Sequence, residues 1–335
     1  MSALAPTAST ASSRPGAIEA RSPTFWKLVS RNASIRVLAS GFTWTEGPVW
    51  IPARGFLLFS DPPKNRMYRW DPRSARAEVF LEPSGGADAK GFREAGSNGL
   101  KPASKDRLLV ADEGNRAIAL LDLRTKAKRL LVDRFEGKKL NSPNDIVVAP
   151  DGAIWFTDPP YGLEGVDDSP LKEQRFNRVY RLGPRGDLAA VESRLKFPNG
   201  IAFSPDGRTL YVSNSDPSYA VILAWDVSPT GKLSRRRVFA DMTALARKGL
   251  PGLPDGMTID ERGNLWASGP GGIHVISQRG RELGLISTGA AISNCTFGGP
   301  DGRTLFMSST GELVALRTKV RGAPQRLADM SVLGR

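Results

Sequence analysis

The sequence predicts an all-β protein, a six-bladed β-propeller, and three observations carry that prediction. A hairpin motif, clearest from Ser142 to Asp158, returns five more times with other residues. The residues that open the six copies are Glu46, Asn98, Asn144, Asn199, Asp255 and Asn294, and by subtraction they lie 39 to 56 positions apart. That spacing brackets the period of roughly 40 to 50 residues expected of propeller blades. Each opener is acidic or an amide although it leads an apolar strand, which makes sense only if the six converge on something polar.

Every copy follows one plan. A polar residue opens a short apolar strand, a turn of Pro, Asp and Gly type follows, and a second apolar strand ends on a small polar residue. The second strands end at Asp61, Asp112, Asp158, Asn214, Ser268 and Ser308, which lie 15, 14, 14, 15, 13 and 14 positions after their openers. In a propeller each blade is a small antiparallel sheet stacked around a central channel, so equivalent positions face the same place. Side-chain oxygens from carboxylates and amides suit a hard cation. A metal ion at the channel is therefore expected, calcium first, with magnesium, manganese and zinc as other candidates for an oxygen-ligand site.

Taken in order, residues 1–30 read as a disordered or loosely ordered tail and residues 31–335 as a single propeller domain. Residues 33–40 alternate as a strand, and residues 312–316 read as another. Closure of a propeller removes exposed sheet edges, so the N-terminal strand is expected to complete the blade that holds Asn294. Residues 66–70 and 77–81 supply the outer strands of blade one, and residues 117–121 and 129–132 those of blade two. The Gly-rich stretch 83–96 reads as a loop, 134–142 as a polar insertion, and the acidic stretch to Ser169 as a loop overhanging one end of the channel. Residues 241–248 are the best candidate for a short helix.

Composition narrows the function classes. Apolar residues make up 40% of the chain, enough for a sizeable core. The lone Cys295 excludes an intramolecular disulfide. The formal charge of +13 is spread through all six repeats, in short clusters such as Arg235-Arg236-Arg237, and not gathered into a stripe. That distribution argues for a solvated surface and against a nucleic-acid partner; a weaker reading has the positive field draw in anionic ligands. The first 20 residues lack the apolar core of a secretory signal, and no run reaches the roughly 18 apolar residues of a membrane span. A cytoplasmic protein with no membrane partner is the expectation, and the sequence leaves the oligomeric state open.

The stretches Thr45-Glu46-Gly47-Pro48-Val49-Trp50, Asn141-Ser142-Pro143-Asn144-Asp145, Phe156-Thr157-Asp158-Pro159-Pro160-Tyr161-Gly162, Pro198-Asn199-Gly200 and Pro254-Asp255-Gly256-Met257 occur in the right order to resemble one family. It groups senescence marker protein (regucalcin), gluconolactonase and luciferin-regenerating enzyme, and the likeness to bacterial gluconolactonases is the greatest. The resemblance spans about residues 35 to 316. It implies a six-bladed propeller with calcium or a related divalent ion at the channel and hydrolysis of sugar lactones. Residue by residue, it places Glu46, Asn144, Asn199 and Asp255 on the metal and makes Asp255 the catalytic group as well.

Other residues are read beside this set. Asn98 and Asn294 share the register of the openers without matching a family ligand, and are expected to contact substrate or to support the ligands from behind. Glu113 is expected to contact substrate, although it stands where many gluconolactonases carry a His, a departure from the family pattern that leaves the blade-two part of the pocket open. Asp158 and Tyr161 are expected at the channel mouth, with a turn-stabilising role the alternative for Asp158. His274, the only histidine, sits in a strand-like run and reads as structural. With one His, one Cys and no Gly-x-Ser-x-Gly, neither a Ser-His-Asp triad nor a His/Cys zinc site is available. The favoured function is metal-dependent hydrolysis of glucono-1,5-lactone to gluconate, with Asp255 as general base or nucleophile. Rival readings are another lactone or a phosphotriester at the same site, or a non-catalytic calcium-binding scaffold.

Overall fold

A computed structural model describes residues 16–328 and forms a six-bladed β-propeller. Blade one is an antiparallel sheet of Glu46–Ile51, Phe56–Asp61, Arg66–Asp71 and Arg76–Leu81. Blades two, three and four repeat that order, with innermost strands Ser97–Pro102, Ile146–Val148 and Pro198–Phe203. Blade five begins at Met257–Ile259 and blade six at Ile292–Gly298. The expected closure is present: Ile35–Ser40 pairs with Glu312–Arg317, from Ile35 opposite Leu316 to Ser40 opposite Glu312.

The sequence dictates where each strand lies in its blade. Second strands such as Phe56–Asp61 are buried along their whole length, so they read as continuous apolar runs. Outermost strands such as Leu233–Asp241 are largely exposed, and Arg235, Arg236 and Arg237 lie there. Among the described residues the apolar core divides into six clusters, one at each junction between neighbouring blades. Trp155 and Phe203, whose rings meet edge to face at 5.5 Å, belong to the junction of blades three and four.

One expectation needs correction. Residues 16–30, read above as part of a loose tail, are folded: Ala17–Ala20 adds a fifth strand to blade five, opposite Glu282–Ser287, and Pro23–Lys27 forms a 3-10 turn. Phe25 drives this by burying completely in the cluster between blades five and six. Residues 1–15 of the expected tail lie outside the described residues. The polar insertion 134–142 contains a two-stranded ribbon, Arg134–Phe135 against Lys138–Lys139. The short helix is present as Thr243–Arg247. No helix among the described residues is long and apolar enough to cross a membrane.

At the far end of the channel, where the innermost strands finish, the C-terminal segment crosses the opening. Gly322 pairs with Asp260, and Ala323 N donates to Ile259 O at 2.8 Å.

Candidate active site at the channel mouth

The openers project into the channel because the innermost strands are irregular where they begin. In blades one, two, four and six the pairing with the second strand slips at or beside the opener, as between Glu46 and Val49 and between Pro198 and Ile201. Such a bulge re-aims a side chain. In blades three and five the regular strand starts two residues after Asn144 and Asp255.

Glycines then let the blades close up around the axis. A Cβ on Gly47, whose φ is +49°, would stand 2.1 Å from Asn98 O, and one on Gly200 would stand 2.2 Å from Asp255 O. Hydroxyl groups fasten the same contacts. Ser60 Oγ donates to Asn98 O at 2.8 Å, Thr157 Oγ1 to Asn199 O at 2.6 Å, and Ser213 Oγ to Asp255 O at 2.9 Å. Ser268 Oγ reaches Ser293 O in blade six at 3.0 Å. Each bond holds the opener of one blade by a side chain of the blade before it, or the residue preceding that opener in the case of Ser293.

A cavity of about 420 Å³ opens at this end of the channel, and Glu46, Asn144, Asn199 and Asp255 all line it. A larger cavity of about 700 Å³ lies at the other end among Trp50, Pro102, Phe297 and Leu327. Its walls bring no converging carboxylates together, so the chemistry favours the smaller one. Among the described residues no three His, Cys, Asp or Glu side chains gather in a metal-binding cluster; the set at the mouth is two carboxylates and two amides.

The electrostatics of this set favour a cation. Burial pushes the Glu46 carboxyl up to about 7 even though Gly47 N at 3.0 Å and Asn294 Nδ2 at 3.2 Å both donate to Oε2. Asp255 is raised well above the ordinary carboxylate range, first by burial and then by the charges of Glu46 and Asp145. Its Oδ1 is buried without a hydrogen-bond partner. Buried carboxylates held near one another, with an unpaired oxygen, are relieved by a bound cation, and oxygen-only donors suit a hard one. The residues present therefore fit a divalent ion.

The expected substrate contacts divide. Asn98 and Tyr161 line the cavity. Tyr161 stacks on Phe197 with ring centroids 5.8 Å apart and donates its hydroxyl to Phe197 O at 3.4 Å. Glu113, Asp158 and Asn294 do not line it, and each has another placement. Glu113 is fully buried behind Asn98, whose Nδ2 donates to its Oε1 at 3.2 Å, and burial and then Glu94 raise its pKa. Asp158 accepts Asn141 N and Ser142 N, both at 2.9 Å, so its oxygens hold the chain entering blade three. Asn294 faces Glu46 across the junction of blades six and one.

Sequence reasoning singled out none of the other lining residues: Arg93 and Glu94 from the loop 83–96, Ser215 and Gly252, and an apolar side of Trp44, Leu253, Ala291 and Ile292. His274 is buried in its strand, with Nδ1 2.7 Å from Glu282 Oε1 and Nε2 3.1 Å from Pro270 O, far from this chemistry in role.

The family model for the SMP-30/gluconolactonase/LRE-like region matches residues 44–311. The gluconolactonase of Zymomonas mobilis is 45% identical over 313 residues, covering 92% of this chain and 87% of that protein. A gluconolactonase of Xanthomonas campestris superposes with a TM-score of 0.80 at 34% identity, over 93% of this chain and 98% of that one. The calcium-binding protein regucalcin of Agrobacterium tumefaciens shares the fold, with a TM-score of 0.70 at 22% identity over 87% and 96% of the two chains.

Proposed function

The chain belongs to the SMP-30/gluconolactonase/LRE-like family and is an enzyme of lactonase type, and from that premise we propose that it hydrolyses glucono-1,5-lactone to gluconate with a divalent cation, calcium first, at the channel mouth. The observation that carries this reading is the meeting of Glu46, Asn144, Asn199 and Asp255 on one cavity, with Asp255 Oδ1 unpaired.

Those four residues would hold the ion. When bound, it would polarise the lactone carbonyl and offset the negative charge that develops on its oxygen. Asp255 is the group for proton transfer, because its carboxylate is partly open to the cavity and its backbone is fixed by Ser213. It takes a proton from water as the water oxygen bonds to the carbonyl carbon, then returns that proton to the ring oxygen as the ring C–O bond breaks. Attack by Asp255 itself on the carbonyl carbon is the alternative role for the same residue. Asn98 and Tyr161, which line the cavity, would meet the hydroxyl groups of the sugar ring.

The test is hydrolysis of glucono-1,5-lactone in a pH-indicator assay, corrected for the spontaneous rate, on chelator-treated protein with and without calcium. Turnover restored by metal, weakened in Glu46→Gln, and reduced by about 10²-fold or more in an Asp255→Asn protein that still binds metal supports the reading. Full turnover in metal-bound Asp255→Asn removes Asp255 from the chemistry. Absence of turnover with every divalent ion points to another ester or to a calcium-binding scaffold.

A further inference from the structure

The cavity has two unlike walls. Trp44, Leu253, Ala291 and Ile292 make one side apolar, and Arg93, Glu94, Asn98, Tyr161 and Ser215 make the other polar. Most of the polar groups are already engaged. Ser215 Oγ donates to Pro254 O at 2.6 Å and accepts from Asn199 Nδ2 at 3.0 Å, while the Tyr161 hydroxyl and Asn98 Nδ2 hold the partners described above and Asn98 Oδ1 is buried without one. Arg93 and Glu94 differ. Among the described residues their side chains find each other, with Arg93 Nη2 2.9 Å from Glu94 Oε1, and the Arg93 side chain stays 53% exposed.

Their backbone, by contrast, is fixed. Arg93 N and Glu94 N both donate to Gly162 O, at 2.9 and 3.2 Å, and Glu164 N donates to Gly91 O at 3.0 Å. Phe92 forms an isolated bridge with Leu163. At Gly162 a Cβ would stand 2.4 Å from Ser142 Oγ and 2.8 Å from Glu94 O, so the approach of the two loops requires glycine there. A pinned loop thus carries a guanidinium and a carboxylate side by side over the cavity. Such a pair matches two adjacent hydroxyl groups: the carboxylate accepts from one while the guanidinium donates to the oxygen of its neighbour. The apolar wall opposite suits the C–H face of the same ring.

Resting on the lactonase reading, we propose that Arg93 and Glu94 are the specificity-determining residues of the cavity and select lactones that carry vicinal hydroxyl groups. The kinetic test compares wild type, Arg93→Met and Glu94→Gln on glucono-1,5-lactone and on δ-valerolactone, the same ring without hydroxyls. KM for the sugar lactone should rise by about 10-fold or more in either variant while kcat changes by less than about 3-fold, because the lost bonds are made to substrate and transition state alike. The rate constant kcat/KM for δ-valerolactone, where wild type turns it over, should stay within about 2-fold, since that ring makes none of those bonds. Unchanged kinetics on the sugar lactone, a loss confined to kcat, or equal losses on both lactones would overturn the assignment. Turnover by wild type judges the lactonase reading separately. Should wild type hydrolyse neither lactone, calorimetric binding of D-gluconate still decides: weaker binding to Glu94→Gln than to wild type supports the pair, and equal or absent binding overturns it.

Discussion

Asn294 Nδ2 donates to Glu46 Oε2 at 3.2 Å, so the opener of the last blade holds the carboxylate of the first. Gly47 N donates to the same oxygen at 3.0 Å, so Oε2 is held by two donors, one from its own blade and one from blade six. If Glu46 is a ligand, removing its outer partner should cost about 10- to 100-fold in metal affinity. Calcium titration of Asn294→Ala by calorimetry checks this, and an affinity equal to wild type would show that Gly47 N alone suffices.

Gly200 is a sharper probe of the packing around the axis. A Cβ there would meet Asp255 O at 2.2 Å, and that atom is main chain already held by Ser213, so it has little room to yield. Gly200→Ala should destabilise the fold by about 1–3 kcal/mol, the usual cost of overpacking a tight site. Urea unfolding monitored by tryptophan fluorescence reads the change, and the displaced Asp255 should lower turnover as well.

Acid stability should depend on a surface pair. Hydrogen bonding from Arg317 lowers the Asp301 pKa to about 2, below the value of ~3.9 expected in the unfolded chain. A carboxyl whose pKa is depressed by folding stabilises the native state above its unfolded pKa, and that contribution fades as pH falls through the folded one. The stability gap between wild type and Asp301→Asn should therefore narrow between about pH 4 and pH 2, as read by thermal melts. Added salt should also narrow it at neutral pH, because both side chains are substantially exposed.

Cys295 should be inert in the native protein. It is 2% exposed, burial raises its thiol to about 12, and Sγ lies 3.3 Å from Trp266 O. Since the thiolate is the reactive form, a colorimetric thiol reagent should find no group in the folded protein and one after denaturation, matching the single cysteine. Fast reaction in the folded state would mean that the junction of blades five and six opens readily.

The propeller was legible in the chain because one hairpin pattern recurs, and repeats in a closed ring place equal positions at equal points. For the same reason Glu46, Asn144, Asn199 and Asp255 could be expected on one cavity, and they line it. Polarity alone did not reveal which way the strand-ending residues face. Asp61, Asp158 and Asn214 turn back to accept main-chain amides at Thr43 and Trp44, at Asn141 and Ser142, and at Phe197. A signal for the inter-blade clasps was present but unread: Ser60, Thr157, Ser213 and Ser268 recur near the end of the second strand in blades one, three, four and five, where blade two has Ala111. Arg93 and Glu94 left no such trace, because they belong to a loop without a counterpart in the other repeats and are positioned by Gly162, which is distant in sequence. The folded segment from Ala17 to Lys27 was hidden by a composition that changes only gradually after the polar first residues; Phe25 and Trp26 were its clue.

Closure of the sixth blade also sets a schedule for biosynthesis. Ile35 pairs with Leu316, and by subtraction the two are 281 positions apart. At roughly 5–20 residues per second on the ribosome, the strand Ile35–Ser40 waits about 15–55 s for its partner. Through that interval an apolar strand with unpaired amides and carbonyls stays open to other chains. The bond network that completes the ring is thus the last to form, and a nascent chain stalled before blade six keeps the edge that the finished protein hides.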